Sequence, residues 1–136
     1  MIDLIGMLPK HKSDLESANA IVALGYPEVA PVLSELMVWM QDINWPVAQV
    51  FAPFLASIGT PLVPYVRDVL RTDDTIWKQC ILYDIVQESK SIFHKVKSDI
   101  IRMASTESVD EDSESLRETA MVVLEHYGIR LPLVVT

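Results

Sequence analysis

One apolar rhythm recurs three times along this chain. Within residues 43–59 it falls on Val47, Val50, Phe51, Phe54, Leu55 and Ile58. Upstream it falls on Val29, Val32, Leu33, Leu36, Met37 and Met40, and near the end on Leu116, Ala120, Val123, Leu124 and Tyr127, with Thr119 filling the sixth slot. Alternating steps of three and one trace a single face of an α-helix. Helices that each carry one such stripe must bury the stripes against one another. Punctuated by Gly and Pro, the pattern predicts stacked helical hairpins. The expected fold is all-α: about seven helices in antiparallel hairpins, wound as a short α–α superhelix in one domain over residues 1–136.

The punctuation places the elements. Ser13-Asp14-Leu15-Glu16 reads as a capping box, with Ser13 as the cap. Gly25 ends that helix, and prolines 27 and 31 open the next. Asn44 is the expected cap of a third helix with Pro46 in its first turn, and Gly59 stops it. Pro53 inside this helix should kink it, because it deletes a backbone bond. Thr60-Pro61 starts a fourth helix, Asp73 or Asp74 caps a fifth, and a sixth runs from about Ile92 to Ala104. Residues 105–113 read as a solvated acidic loop. A seventh helix follows to Tyr127 and Gly128, and the tail 129–136 reads as an extended arm. The apolar segments 1–9 and 131–135 are candidates to cover the open ends of the stack.

A cap, an apolar helix, an Ile-Gly or Tyr-Gly stop and a Pro-started return helix resemble HEAT-like repeats. Pro46-Val47-Ala48 to Ile58-Gly59 and Leu116 to Tyr127-Gly128 carry the resemblance, with Pro61, Pro64 and Val66-Arg67-Asp68-Val69-Leu70 similar to the return helix. It extends over about residues 13–128. Leu24-Gly25-Tyr26-Pro27 and Asp42-Ile43-Asn44-Trp45-Pro46 further resemble a small bacterial family of uncharacterised HEAT-like domains, a domain of unknown function. That resemblance implies a fold and no assigned activity.

Eleven basic residues stand against nineteen acidic ones, a net charge of −8. Such a surface opposes nucleic-acid phosphates and anionic membranes and suits a basic partner. The Lys and Arg residues look scattered along the sequence. No stretch approaches the roughly 20 apolar residues that span a bilayer, and residues 1–9 lack the features of a signal peptide. A single cysteine, Cys80, fits a reducing compartment. The expected location is cytoplasmic.

Little in the sequence points to catalysis. His11, His94 and His126 have no second ligand at metal-binding spacing, so neither metal nor cofactor is expected. Cys80 lies beside the line of Trp77, Ile81 and Ile85 and reads as a small buried hydrophobe. Asp84 and Glu88, one helical turn apart, repel each other, and Asp84 earns attention if buried. The better lead lies at the hairpin junctions. Asp42-x-x-Trp45 and Asp74-x-x-Trp77 repeat a motif, Asp73 adjoins the second copy, and Trp39 sits off the apolar stripe of its helix. Tryptophan is enriched in binding hot spots. Capping and dipole matching equally explain the aspartates. The candidate partner-binding residues are therefore Trp39, Asp42, Trp45, Asp73, Asp74 and Trp77.

The leading expectation is a non-enzymatic protein-interaction module with a basic protein partner, neither nucleic acid nor membrane, acting as a monomer or weak homodimer. A narrower alternative is an acidic immunity-type protein that neutralises a basic toxin. The alternative from another class is a hydrolase or nucleic-acid base enzyme on a helical-repeat scaffold, which the net charge opposes.

Overall fold

Gly59 shows how the chain turns its hairpins. Its φ of +79° lies in the left-handed region, which only glycine enters without strain. A β-carbon there would approach the Ser91 hydroxyl to 3.2 Å. The helical stretches on either side, Pro46–Ile58 and Thr60–Leu70, are bent by 113° relative to one another. Gly25, with φ +75°, turns the preceding hairpin in the same way, next to the cis Tyr26–Pro27 peptide.

The computed structural model describes residues 3–131, and among these residues there are eight helices and no strand. Helix α1 is Leu4–Met7 and α2 is Leu15–Leu24. Helix α3, Leu33–Val38, has 3-10 turns at both ends, Ala30–Val32 and Trp39–Gln41. Helix α4 is Pro46–Ile58, and α5, Val63–Leu70, follows a 3-10 turn Thr60–Leu62. Helix α6, Thr75–Ile81, continues into a π-helical turn, Leu82–Val86. Helices α7 and α8 are Lys90–Ser105 and Glu111–His126.

The helices lie in two rows. In the first, α2 packs on α4, α4 on the π turn of α6, and α6 on α8. In the second, α3 packs on α5 and α5 on α7. The rows meet where the last turn of α3 rests on α4 and α6, and where α7 lies along α8. The recurring rhythm supplies the seam. Val29, Val32, Leu33, Leu36, Met37 and Met40 are all buried, as are Val47, Phe51 and Leu55, while Val50, Phe54 and Ile58 pack against them half-covered. The buried apolar side chains of α2 through α8 form one cluster.

Several boundaries differ from those expected. Asp14, not Ser13, caps α2: its carboxylate accepts from the Ser17 amide at 3.2 Å and from the Lys10 amide at 2.9 Å. A carboxylate can hold both amides, which one hydroxyl cannot do as well. Trp45, not Asn44, occupies the cap position of α4, without a side-chain bond, because an indole has no acceptor; the Val47 amide donates instead to the Lys12 carbonyl at 3.0 Å. The acidic segment is shorter than expected. Asp110 and Ser113 form a reciprocal capping box, so Glu111 and Asp112 already belong to the first turn of α8, where the helix dipole favours carboxylates. Pro53 lies within α4, which runs on as one helix to Ile58. The eighth helix is the additional element α1. Its Leu4 and Met7, with Leu8, pack on the core over α2 and the start of α3. Ile129 and Leu131 pack on the core at the other end; the rest of the expected terminal arm, 132–136, lies outside the described residues.

Charge divides between the rows. Helix α5 with its cap Arg71, together with α7, carries Arg67, Arg71, Lys90, Lys95, Lys97 and Arg102 against Asp68 and Asp99. Helix α8 with its cap Asp110 carries Asp110, Glu111, Asp112, Glu114, Glu118 and Glu125 against Arg117. Six of the eleven Lys and Arg residues thus lie on two helices that pack together.

Candidate functional site

The two Asp-x-x-Trp motifs are alike in sequence and different in structure. Asp42 is extended (φ −147°, ψ 113°), and its carboxylate accepts from the Asn44 amide at 2.9 Å while its carbonyl accepts from the Trp45 amide at 3.0 Å. It therefore builds the turn before α4, three residues ahead of the cap. Asp74 is itself the cap of α6 and accepts from the Trp77 amide at 3.0 Å. Asp73 beside it is exposed.

The three tryptophans are all half-buried against the core. Trp39 and Trp45 meet edge to face, ring centroids 6.0 Å apart at 72°. The Trp77 indole N–H donates to the Met37 carbonyl at 2.9 Å, which ties the start of α6 to the end of α3. Trp77 also walls an apolar slot of about 230 Å³ with Met37, Val38, Tyr65 and Val69. The structure thus brings the two junctions together through Trp77 and Met37.

A larger concavity opens beside this cluster, on the outer side of the first row. It is a groove of about 600 Å³ between α4 and α6, lined by Ile43, Gln49, Ala52, Pro53, Ala56, Ser57, Asp84 and Glu88. Positions 49, 52, 53 and 56 stand at helical spacing and make a second face of α4, next to its apolar stripe. Small side chains on that face leave the trough. At Ile43 and Asp84 the groove adjoins a hollow of about 280 Å³ that also includes Ile76, Gln79, Cys80, Tyr83 and Glu118. Ile76 is 62% exposed and Tyr83 38% exposed there.

The π turn carries Asp84 between groove and hollow. Its wide bond runs from the Gln87 amide to the Leu82 carbonyl at 2.9 Å, and such turns are frequent at functional sites. Burial, and secondarily the neighbouring Glu88, pushes the Asp84 carboxyl above the ordinary carboxylate range. Cys80 is buried, in agreement with its place in the sequence. Burial pushes its thiol up, the Ile43 backbone partly offsets this, and Asp84, Asp42 and Asp74 reinforce it. Of those three acids, Asp84 lines the hollow itself. None of the residues lining groove or hollow is a Lys or Arg. Among the described residues no group of three His, Cys, Asp or Glu side chains is placed to hold a metal ion, and no single helix is long and apolar enough to cross a membrane.

Sequence spacing points to Asp84 and Glu88 but does not join them to α4. The missing signal is the Gln49, Ala52, Pro53, Ala56 face, which reads as a break in an apolar helix until its neighbour is known.

The chain belongs to the family DUF5071, described as a domain of unknown function, which matches residues 7–124. Comparison with curated proteins gives no match.

Proposed function

We propose that this two-row stack is a short HEAT-like superhelix that serves as a protein-interaction module, and that its groove receives a basic, amphipathic segment of a partner protein. The observation that carries this reading is the combination of an apolar trough on α4 with the Asp84 and Glu88 carboxylates facing it and no cation in its lining. An apolar floor supplies most of the binding free energy, while rim ion pairs, about 0–1 kcal/mol each, steer the partner and set its polarity. Trp39, Asp42, Trp45, Asp73, Asp74 and Trp77 frame the junction from which Ile43 reaches the groove. In this reading they form its flank: Asp42 and Asp74 add to the negative field, and the tryptophans hold the junction in shape. A partner of this chemistry also fits the narrower reading of an acidic protein that neutralises a basic toxin.

The test is an amide-shift titration with two designed helical peptides, one of Leu and Lys and one of Leu and Glu. The Leu–Lys peptide should shift Ile43, Ala52, Ala56 and Tyr83, weaken with added salt, and lose its effect in the double variant Asp84→Lys, Glu88→Lys. Equal response to both peptides, or shifts that avoid the groove, would reject the reading.

A further inference from the structure

The opposite row carries a second site, and its chemistry is the reverse. At the ends of α5 and α7 a concavity of about 320 Å³ is lined by Arg67, Leu70, Arg71, Asp99, Arg102, Met103 and Thr106. Three guanidinium groups share it with one carboxylate. Asp99, its side chain only 25% exposed, pairs with Arg67 Nε at 3.4 Å and also holds Arg102 Nη2. Arg67 Nη2 donates to the Lys95 carbonyl at 2.8 Å. Two arginines are therefore fixed in direction, while each guanidinium has five N–H donors and uses only some of them in these bonds. Arg71 has a distant partner, Asp68 at 3.8 Å, with both side chains about three-quarters exposed; such a pair holds a side chain weakly.

We propose that Arg67, Arg71 and Arg102 bind a tetrahedral oxyanion, a phosphate or a small phosphate ester. Arginine forks match the geometry of phosphate oxygens and are the usual means of binding them. Asp99 acts as a positioning residue that orients two of the forks ahead of binding. The C-termini of α5 and α7 bring partial negative charge nearby, which helps explain why arginines gather there. Counting Asp68 beside Arg71 as well as Asp99, three guanidinium groups face two carboxylates, a formal balance of one positive charge. At about 320 Å³ the concavity has room for a phosphate group and for a substituent on it. Leu70 and Met103 provide an apolar wall for the carbon side of an ester. The site is independent of the acidic groove, which lies on the other row.

The probe is inorganic phosphate, titrated at constant ionic strength against chloride while the arginine Nε–H resonances are followed by NMR. Arg67, Arg71 and Arg102 should shift together and saturate. Arg71→Gln, an exposed change that leaves the Asp99 pairs in place, should weaken binding at least fivefold, and Lys97→Gln, outside the concavity, should leave it unchanged. Phenyl phosphate run in parallel identifies the source: tighter binding with shifts of the Leu70 and Met103 methyl groups marks an ester, equal binding the ion itself. Shifts that stay linear with phosphate, or an affinity unchanged in Arg71→Gln, would overturn the proposal. So would binding of a single-stranded oligonucleotide that phosphate cannot displace, because that result describes an extended nucleic-acid track.

Discussion

Phe93 and Tyr127 stack face to face, ring centroids 4.0 Å apart and planes within 16° of parallel. Phe93 belongs to α7 and Tyr127 ends α8, so the stack closes the last hairpin. The Tyr127 hydroxyl goes further and donates its one proton to the Gln87 carbonyl at 2.6 Å, with the Val86 carbonyl 3.2 Å away. Gln87 follows the last residue of the π turn, where helical partners run out, while the Val86 carbonyl already accepts from the Ser89 amide at 3.1 Å. Tyr127→Phe keeps the stack and removes the bond, and should lower unfolding free energy by about 1–2 kcal/mol. Urea denaturation of the two proteins checks this.

Trp77→Phe should cost about 1–3 kcal/mol, because it leaves the Met37 carbonyl without its indole donor in a half-buried place. Trp39→Phe retains an aromatic edge for Trp45 and removes no hydrogen bond comparable to that of Trp77, so its loss should be smaller. Thermal unfolding of both variants separates a junction held by the Trp77 bond from one held by area alone.

Asp84 gives a pH signature. Its pKa is raised on folding, so the folded state binds that proton more tightly than the unfolded chain does. The stability linked to it is complete below the unfolded pKa of about 3.9 and is lost as pH rises through the higher folded value. Asp84→Asn should therefore be more stable than the parent near neutral pH, by less than about 1 kcal/mol given the residue's partial exposure. The gap should close at a pH of about 3, below the unfolded value. A gap that persists there would assign the effect to packing.

Pro53 is exposed in the groove and sits inside α4, where a backbone N–H is missing. Pro53→Ala restores that donor and should stabilise the protein by about 1–3 kcal/mol. The same change should weaken the Leu–Lys peptide by removing a wall of the trough. Paired denaturation and titration measurements would show whether stability and binding move in opposite directions.

Much of the helical frame is legible in the sequence, for a physical reason. Val47, Phe51 and Leu55 announce their helix because a buried stripe needs a repeat that water will not tolerate outside. Gly25 and Gly59 announce the ends of α2 and α4 because other residues strain at their φ. Caps are harder to read: Ser13 and Asp14 are both good candidates, and the choice depends on the Lys10 amide, which approaches from outside the helix. The Asp-x-x-Trp copies mislead for a related cause. Asp42 and Asp74 meet different backbone geometry, so the repeats slip by a few residues relative to their caps. The groove is hidden most completely. Ala52, Ala56 and Asp84 acquire meaning only when α4 and α6 lie side by side, and no spacing along the chain encodes that pairing.

The separation of charge between the two rows has a consequence for how the molecule meets anything charged. Seen from far away it is a body of charge −8, and distant anions are turned aside. Within about 8 Å, the screening length at physiological salt, a visitor senses mainly the row it faces. An anion on the α5–α7 side then meets attraction, and a cation there meets resistance. Added salt hides the distant field before it reaches the close one, so moderate ionic strength should admit anions to that side more readily than pure water does. The surface sorts approaching molecules by the direction from which they come.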